Sequence, residues 1–362
     1  MSYFVAVSDS SQLVQRLKNF SASLLLISAV GVCYAALPYF QRYFSARTHF
    51  FGEVYLWWQV LLVATLAYVL LLLLFYLLEP TPRTSKSIYC LRALKRLAAS
   101  PLTAWRGELP ADERVGLLSV LLKAFFVPLM VVWLFDHTAS MIGQGDALMA
   151  RWGGIDWMDL FNAHGFWFLF KLILFLDVFF FTIGYMIELP GLKNEIRSVD
   201  PTLLGWGVAL ACYPPFNGMT AMVFGGGYAA DFPQFDHPAV HLAANALLLV
   251  LMAIYTSASI ALNFKASNLT HRGIIAHGPY RYIRHPAYVC KNLAWWVGLT
   301  PALLVALETS PTATLMTFGS MFGWSVIYYM RALTEEDHLR SVDGEYDAYC
   351  QTVKYRFVPG VY

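Results

Sequence analysis

Residues 54–78 read Val54-Tyr-Leu-Trp-Trp-Gln-Val-Leu-Leu-Val-Ala-Thr-Leu-Ala-Tyr-Val-Leu-Leu-Leu-Leu-Leu-Phe-Tyr-Leu-Leu78, an apolar run without a charged residue. This run exceeds the roughly 20 residues that an α-helix needs to cross a bilayer core. Similar runs recur along the 362 residues, of which 58% are hydrophobic and 13% charged. The sequence therefore predicts an all-α, polytopic transmembrane helix bundle rather than a soluble domain.

Eight predicted spans account for these runs. They cover residues 21–40, 54–78, 115–135, 165–187, 202–222, 239–264, 286–307 and 312–332. Between the spans, segment 79–114 carries seven Lys or Arg residues, whereas segment 223–238 carries none. Because cytoplasmic loops are enriched in Lys and Arg, both termini are predicted to be cytoplasmic and loop 223–238 to face outward.

The sequence suggests that the chain consists of two parts with different roles. Residues 1–200 are predicted to be an N-terminal transmembrane bundle without an assigned role, and residues 201–362 hold the motifs described next and a cytoplasmic tail. The five cysteines are scattered and show no paired spacing, so we expect neither a disulfide framework nor a metal site. Cations at a headgroup layer attract anionic lipid, and we expect no nucleic-acid partner.

Polar residues concentrate in a segment that we call the basic strip, His277-Gly-Pro-Tyr-Arg-Tyr-Ile-Arg-His-Pro-Ala-Tyr-Val289, directly before the seventh span. Gly278-Pro279 predicts a turn. Pro286 suits the first turn of a helix, where its missing N–H costs nothing. Arg281 and Arg284 could bind a carboxylate or phosphate through paired hydrogen bonds. The alternative is that these cations only anchor the chain at the membrane surface.

Acidic residues follow the eighth span on the same predicted side of the membrane. Thr334 is predicted to cap a new helix with the acids in its first turn, and for Asp337 we prefer this purely structural role. Glu335 and Glu336 could instead hold ribose hydroxyls or an amino group, with Glu336 at a water-accessible rim. The tail then continues through Tyr346, Tyr349, Arg356 and Pro359.

Two other places carry polar groups that a membrane span does not explain. Lys171 and Asp177 lie within the fourth span, but six residues apart they point to different helical faces and are not an obvious pair. The segment 213–218, Tyr-Pro-Pro-Phe-Asn-Gly, must break the fifth span. It either shapes a pocket within the membrane or simply ends the span early.

Three ordered pieces carry a family resemblance: Gly278-x-Tyr280-Arg-x-x-Arg284-His-Pro-x-Tyr288, then Glu335-Glu336, then Tyr346, Tyr349, Arg356 and Pro359. Over about the last 100 residues, the chain resembles the isoprenylcysteine carboxyl methyltransferase and phospholipid methyltransferase superfamily. The resemblance implies an integral membrane enzyme that transfers a methyl group from S-adenosyl-L-methionine to a membrane lipid or a prenylated acceptor at the cytoplasmic face.

The resemblance also implies roles for individual residues. The cofactor would lie against His277, Gly278, Tyr280, Arg281, His285, Pro286, Tyr288, Glu335 and Glu336. Catalysis would use Arg284, Arg331, Glu336 and Arg356. Arg281 and Arg284 would take the methionyl carboxylate or a substrate anion, and the other two arginines would orient the acceptor. The acceptor itself, whether a carboxylate, an amine, a thiol or another hydrophobic molecule, stays open.

One departure from the pattern keeps two rivals open. The superfamily usually has Gly two residues after Tyr288, where this chain has Cys290 followed by Lys291. The ending 349–362 also resembles the C-terminus of membrane sterol reductases, which use NADPH, although Glu335-Glu336 fits the methyltransferases better. A transporter or lipid-binding protein that keeps the strip as architecture is the third reading, and the polar groups of spans four and five would suit it.

Overall fold

The computed structural model describes residues 2–50, 52–102, 108–224 and 235–361. Within these ranges most residues are helical and the strands form only short pairs, so the predicted all-α architecture is confirmed. The chain divides into two compact units, Met1–Trp133 and Leu134–Tyr362. This boundary differs from the predicted division by role at residue 200, which stays a prediction.

The first unit consists of helices around one short hairpin. Its elements are α1 (Ser2–Ala36), α2 (Pro38–Phe44), β1 (Arg47–Phe50), β2 (Glu53–Leu56), α3 (Trp57–Leu78), α4 (Lys86–Ala99) and the first part of α5 (Ala111–Ala150). Strands β1 and β2 pair antiparallel. Helix α1 contacts both α3 and α4.

A buried amide fixes the segment that joins α3 to α4. Asn19 is fully buried, donates to the Arg83 carbonyl at 2.7 Å and accepts from the Ser85 N–H at 3.1 Å. The Ser85 hydroxyl then accepts from the Ile88 N–H, which is the N-cap contact that starts α4. Helix α4 carries four of the seven Lys and Arg residues of segment 79–114.

The second unit holds the remaining elements. They are α6 (Trp157–Leu160), a π-helical turn (Phe161–Gly165), α7 (Phe166–Met186), β3 (Ser198–Val199), α8 (Leu203–Leu210), α9 (Phe216–Phe224), α10 (Pro238–Leu262), β4 (Thr270–His271), α11 (Pro286–Thr309), α12 (Pro311–Val342) and α13 (Glu345–Thr352). Strands β3 and β4 pair antiparallel, with Ser198 opposite His271. A 3₁₀ turn (Gly278–Arg281) precedes α11.

Helix α10 contacts both α7 and α11 and forms the centre of the second unit. The core cluster consists of the buried side chains of Phe166, Phe170, Leu248, Leu249, Met252, Tyr255, Cys290 and Ala294. The small side chains of Cys290 and Ala294 belong to α11, and the Cys290 thiol is packed among apolar groups. On α7, a methyl group at Gly184 would lie 2.1 Å from the Ala266 carbonyl oxygen, which shows how closely α7 approaches the segment after α10.

Helices α11 and α12 form an antiparallel hairpin. The Ser310 hydroxyl accepts from the Ala313 N–H at 3.1 Å, and Pro311 occupies the first turn, so α12 has a well-formed N-terminus. The Trp296 indole donates to the Ser325 hydroxyl at 2.9 Å across the hairpin. The start of α11 therefore lies beside the last third of α12.

Six described helical stretches are long and apolar enough to cross a membrane. They are Ser10–Ala36, Trp57–Leu78, Ala111–Ala150, Trp157–Met186, Pro238–Lys265 and Pro286–Thr309. They correspond to six of the eight predicted spans and indicate an integral membrane protein. The cytoplasmic placement of both termini stays a prediction.

The other two predicted spans differ from the structure in informative ways. The fifth is broken, as predicted, into α8 and α9, each too short to cross a bilayer. The eighth lies within one 32-residue helix, α12, whose several Thr, Ser and Gly residues lower its hydropathy. Thr334 starts no new helix, because α12 continues unbroken through it; that prediction is wrong. In the loop predicted to face outward, residues 225–234 lie outside the described part of the chain.

Candidate functional site

The basic strip has the irregular backbone that its sequence predicts. Gly278 adopts a φ of +61°, which favours glycine, and it opens the 3₁₀ turn that ends at Arg281. A methyl group at Gly278 would also lie 3.0 Å from the Ala261 side chain. Pro286 occupies the first turn of α11, as predicted. The strip is therefore held by a glycine turn at one end and a helix start at the other.

The C-terminal tail is hydrogen-bonded directly to the strip. The backbone N–H groups of Arg284 and His285 donate to the carbonyls of Tyr355 and Arg356 at 3.0 and 3.1 Å. The Arg284 guanidinium donates to the carbonyls of residues 353 and 354 at 3.1 and 2.9 Å. The Tyr349 hydroxyl donates to the Tyr280 carbonyl at 2.8 Å. Strip and tail thus form one structural unit.

The carboxylate of Glu336 is the centre of this unit. Its Oε1 accepts from Arg284 Nε at 2.9 Å, His285 Nε2 at 3.1 Å and Arg356 Nε at 2.9 Å. Its Oε2 accepts from Arg340 Nη2 and Arg356 Nη2, both at 2.9 Å. We call these five side chains the Glu336 hub. The two-pronged contact of Arg356 is the geometry in which guanidinium binds carboxylate best.

The hub settles the charge state of Glu336. Burial raises the pKa of this fully buried carboxyl group, but the hydrogen bonds from His285, Arg356 and Arg284 outweigh it and hold the pKa well below the usual range. The expected water-accessible position of Glu336 is wrong, because its exposed fraction is 0%. With five donors already on its oxygens, this group is suited to positioning the strip and tail.

Glu335, the adjacent acid, lies in a different environment. Its side chain is 47% exposed. Its Oε2 accepts from the Tyr288 hydroxyl at 2.9 Å, and among the described residues its Oε1 has no hydrogen-bond donor. Asp337, with a side chain 80% exposed, lies 3.9 Å from Arg340; its predicted place in the first turn of a new helix is wrong, because α12 continues through Thr334. Of the three consecutive acids, Glu335 is the one that is both partly exposed and hydrogen-bonded to the strip.

Arg331 lies apart from the hub but shares a neighbour with Glu335. Its guanidinium lies over the ring of Tyr288, 5.1 Å from the centroid, and over the ring of Tyr328 at 5.4 Å. Its Nη2 donates to Asn268 Oδ1 at 2.7 Å. Tyr288 therefore contacts Glu335 through its hydroxyl and Arg331 through its face. The residue links the exposed acid to a buried cation.

Two of the remaining strip residues, His277 and Arg281, are exposed and lie outside these groups. Arg281 donates to the hydroxyl of its neighbour Tyr282 and stacks over that ring at 4.5 Å, exposed to solvent. His277 is exposed at the start of the turn. Tyr280 is half-buried beneath the tail. Of the predicted site, the structure thus joins Arg284, His285, Glu336 and Arg356, places Tyr288, Glu335 and Arg331 next to them, and leaves His277 and Arg281 outside.

A second polar group lies inside the helical bundle. Asp177 of α7 accepts from the Tyr255 hydroxyl at 2.5 Å and from the Ser259 hydroxyl, both on α10. Lys291 of α11 lies over the Tyr255 ring, with Nζ 5.2 Å from the centroid. Lys171 does not join this group, because its Nζ lies 4.0 Å from the carboxylate of Asp136. The prediction that Lys171 and Asp177 are no pair is confirmed.

The break in span five contributes to the same interior. The hydroxyl of Tyr213 accepts from Asn268 Nδ2 at 3.0 Å, and Asn268 in turn binds Arg331. Sequence reasoning missed Tyr255, Ser259 and Asn268. The signal available for the first two was the carboxylate of Asp177, because a carboxylate within a span requires donors and hydroxyl groups four residues apart on a facing helix can supply them. Among the described residues, no group of three or more His, Cys, Asp or Glu could hold a metal ion.

Comparison with known proteins covers the part of the chain that contains this site. Residues 229–353 match a family described as a protein of unknown function (DUF1295). No curated protein and no solved structure matches the chain. Together with the six long apolar helices, this match describes a helical membrane protein with a DUF1295 region.

Proposed function

We propose that this protein is an integral membrane methyltransferase that uses S-adenosyl-L-methionine and acts on a lipid or another hydrophobic acceptor at the cytoplasmic face. The observation that carries the proposal is the position of Tyr288, with the exposed Glu335 on its hydroxyl and the buried Arg331 on its face. The ring of Tyr288 thus joins Glu335, which a water-soluble cofactor could reach, to Arg331, which is buried. Methyl transfer requires mainly such alignment of donor and acceptor.

The charged side chains at the exposed end of the candidate site, Glu335 and Arg281, are suited to the charged groups of the cofactor. When bound, S-adenosyl-L-methionine supplies an electrophilic methyl group on a sulfonium centre. Glu335, with its open oxygen, would bind the amino group or the ribose hydroxyls. Arg281, exposed on the turn, would bind the carboxylate. Arg284 and Glu336 would act as positioning residues, because their side chains already bind each other and the tail.

Binding of S-adenosylhomocysteine to the detergent-solubilised chain tests the proposal. We expect this product analogue to raise the unfolding temperature of the wild type, and we expect Glu335→Gln to weaken its binding about tenfold, as removal of one charge-assisted hydrogen bond does. Asp337→Asn is the matched control, since Asp337 is exposed on the same helix and lies outside the site. No stabilisation of the wild type, or equal binding by Glu335→Gln, contradicts the proposal.

One observation favours a second candidate, an NADPH-dependent reductase. The Tyr255 hydroxyl is hydrogen-bonded to Asp177 and lies beside Lys291, an arrangement in which a phenol can donate a proton. NADPH supplies a hydride, and Tyr255 would supply the proton that completes the reduction of a polarised double bond. Stabilisation by NADPH but not by S-adenosylhomocysteine would favour this candidate over methyl transfer. Tyr255→Phe should then leave NADPH binding intact and abolish NADPH oxidation.

A further inference from the structure

Two cations, the partly buried Lys291 of α11 and the buried Arg331 of α12, share one aromatic ring. Lys291 Nζ lies 5.9 Å from the centroid of Tyr328, and the Arg331 guanidinium carbon lies 5.4 Å from the same centroid. Lys291 also lies over Tyr255, and Arg331 over Tyr288. Both cations therefore lie on tyrosine rings of α10, α11 and α12, and they share the ring of Tyr328.

Neither cation has a carboxylate partner in the described part of the chain. No Asp or Glu oxygen lies within 4.0 Å of Lys291 or Arg331, and the hydrogen bond of Arg331 goes to the neutral amide of Asn268. Asp177 interacts electrostatically with Lys291, but its two oxygens are already bound by Tyr255 and Ser259. Two cations facing one acid leave at least one positive charge uncompensated.

An uncompensated charge inside a membrane bundle calls for a physical explanation. Cation–π contacts offset only part of the cost of removing an ammonium or guanidinium group from water. Ionisable residues within spans typically line substrate or ion sites. A bound anion at this position would contact both cations at once, and the surrounding tyrosine rings would pack against its apolar part.

We propose that Lys291 and Arg331 together bind the anionic group of an amphiphilic ligand inside the bundle, and that Lys291 makes the site selective for anions. The inference rests on the proposed function in one respect, since the same ligand would be the methyl acceptor. The anion preference itself is independent of methyl transfer. After Tyr288, this chain departs from the methyltransferase pattern at Cys290 and Lys291. Through Lys291, this departure would determine which ligand the site selects.

Three ligands with the same chain and different head groups test the preference. Dodecanoate, dodecanol and dodecylamine are titrated into the full-length protein in a non-ionic detergent, and binding is followed by thermal shift. We expect the wild type to bind dodecanoate about tenfold or more tightly than dodecanol, as one charge-assisted contact provides. Lys291→Met should reduce dodecanoate binding to the level of dodecanol and leave dodecanol binding unchanged.

Three further variants keep the test decisive. Lys171→Met removes another lysine within a span, one that lies beside Asp136, and it should keep the wild-type preference. Lys291→Arg should also keep it, whereas Lys291→Gln, which removes the charge but keeps a polar side chain, should lose it and decides the inference if Lys291→Met fails to fold. Equal binding of the three ligands by the wild type, or an unchanged preference in Lys291→Met, overturns the inference. Anion preference without any binding of S-adenosylhomocysteine would leave this inference standing and refute the proposed methyl transfer.

Discussion

Replacing Glu336 by Gln tests whether the Glu336 hub holds the strip and the tail together. The substitution keeps the shape of the side chain but removes its charge and turns one acceptor oxygen into a donor. The donors from Arg284, His285, Arg340 and Arg356 then face a neutral amide that can accept at only one atom. We expect the second unit to lose more stability from this change than from the same loss of charge at the exposed Asp337.

The expected loss of stability in Glu336→Gln follows from the burial of Glu336 and its partners. Glu336 is fully buried, and the side chains of Arg284 and Arg356 are only 10% and 12% exposed, so solvent screens these contacts little. Removing one partner of a buried ion pair costs about 3–5 kcal/mol. Arg340, whose side chain is 36% exposed, adds about 1 kcal/mol at most. At about 2–4 °C per kcal/mol for a unit of this size, the unfolding midpoint should fall by roughly 10 °C.

Thermal unfolding in detergent, followed by tryptophan fluorescence, measures this shift. Because the pKa of Glu336 is held below its usual 4.5, the hub contributes fully above that pH, and the difference from wild type should be constant between about pH 6 and 8. Asp337→Asn, one position along α12, should shift the midpoint by less than about 2 °C. A midpoint for Glu336→Gln as close to wild type as that of the control would refute the hub as a stabilising element.

Three other predictions follow from described contacts. Arg284→Lys cannot reproduce the contacts to Glu336 and to the tail carbonyls. This variant should therefore lose about 1–3 kcal/mol of stability and, in an activity assay, most of the proposed methyl transfer. Arg114→Lys, at an exposed position, should change neither. Burial lowers the pKa of His338 despite the nearby Asp200. Below pH 6.5 the unfolded chain therefore binds more protons than the native chain. The unfolding midpoint should fall on acidification, and it should fall less in His338→Gln. Gly184→Ala forces a methyl group against the Ala266 carbonyl and should lower the free energy of unfolding by about 1–3 kcal/mol in the same assay. Gly143→Ala, where the added methyl group has nothing within 4 Å, should be neutral or stabilising. Equal effects of the two substitutions would contradict the close packing of α7.

The spans were predictable because length and hydropathy are local properties of the sequence. The polar content of α12 shows the limit of this approach, since the pairing of α12 with α11 depends on contacts such as that between Trp296 and Ser325. Likewise, the continuation of α12 through Thr334 reflects the hub on the next turn, and a local capping pattern carries no information about that distant contact.

The candidate site was predictable as a set of residues but not as a set of roles. Consecutive helical residues point about 100° apart, so one of Glu335 and Glu336 had to face away from the other. Which of the two enters the hub depends on where Arg284 and Arg356 arrive from distant parts of the chain. The interior group around Asp177 was missed for a different reason, because Tyr255 and Ser259 are ordinary residues in an apolar span until the facing helix is known.

The hub also has a consequence for how the protein enters its membrane. Arg284 and Glu336 stand at opposite ends of the α11–α12 hairpin, 52 residues apart in the chain. They can meet only when α11 and α12 pack against each other as an antiparallel pair. If α12 remained outside the bilayer, Arg284 and Glu336 would be left on opposite membrane faces. The ion pair can therefore form only once the hairpin is complete, and it then holds the open ends of α11 and α12 together.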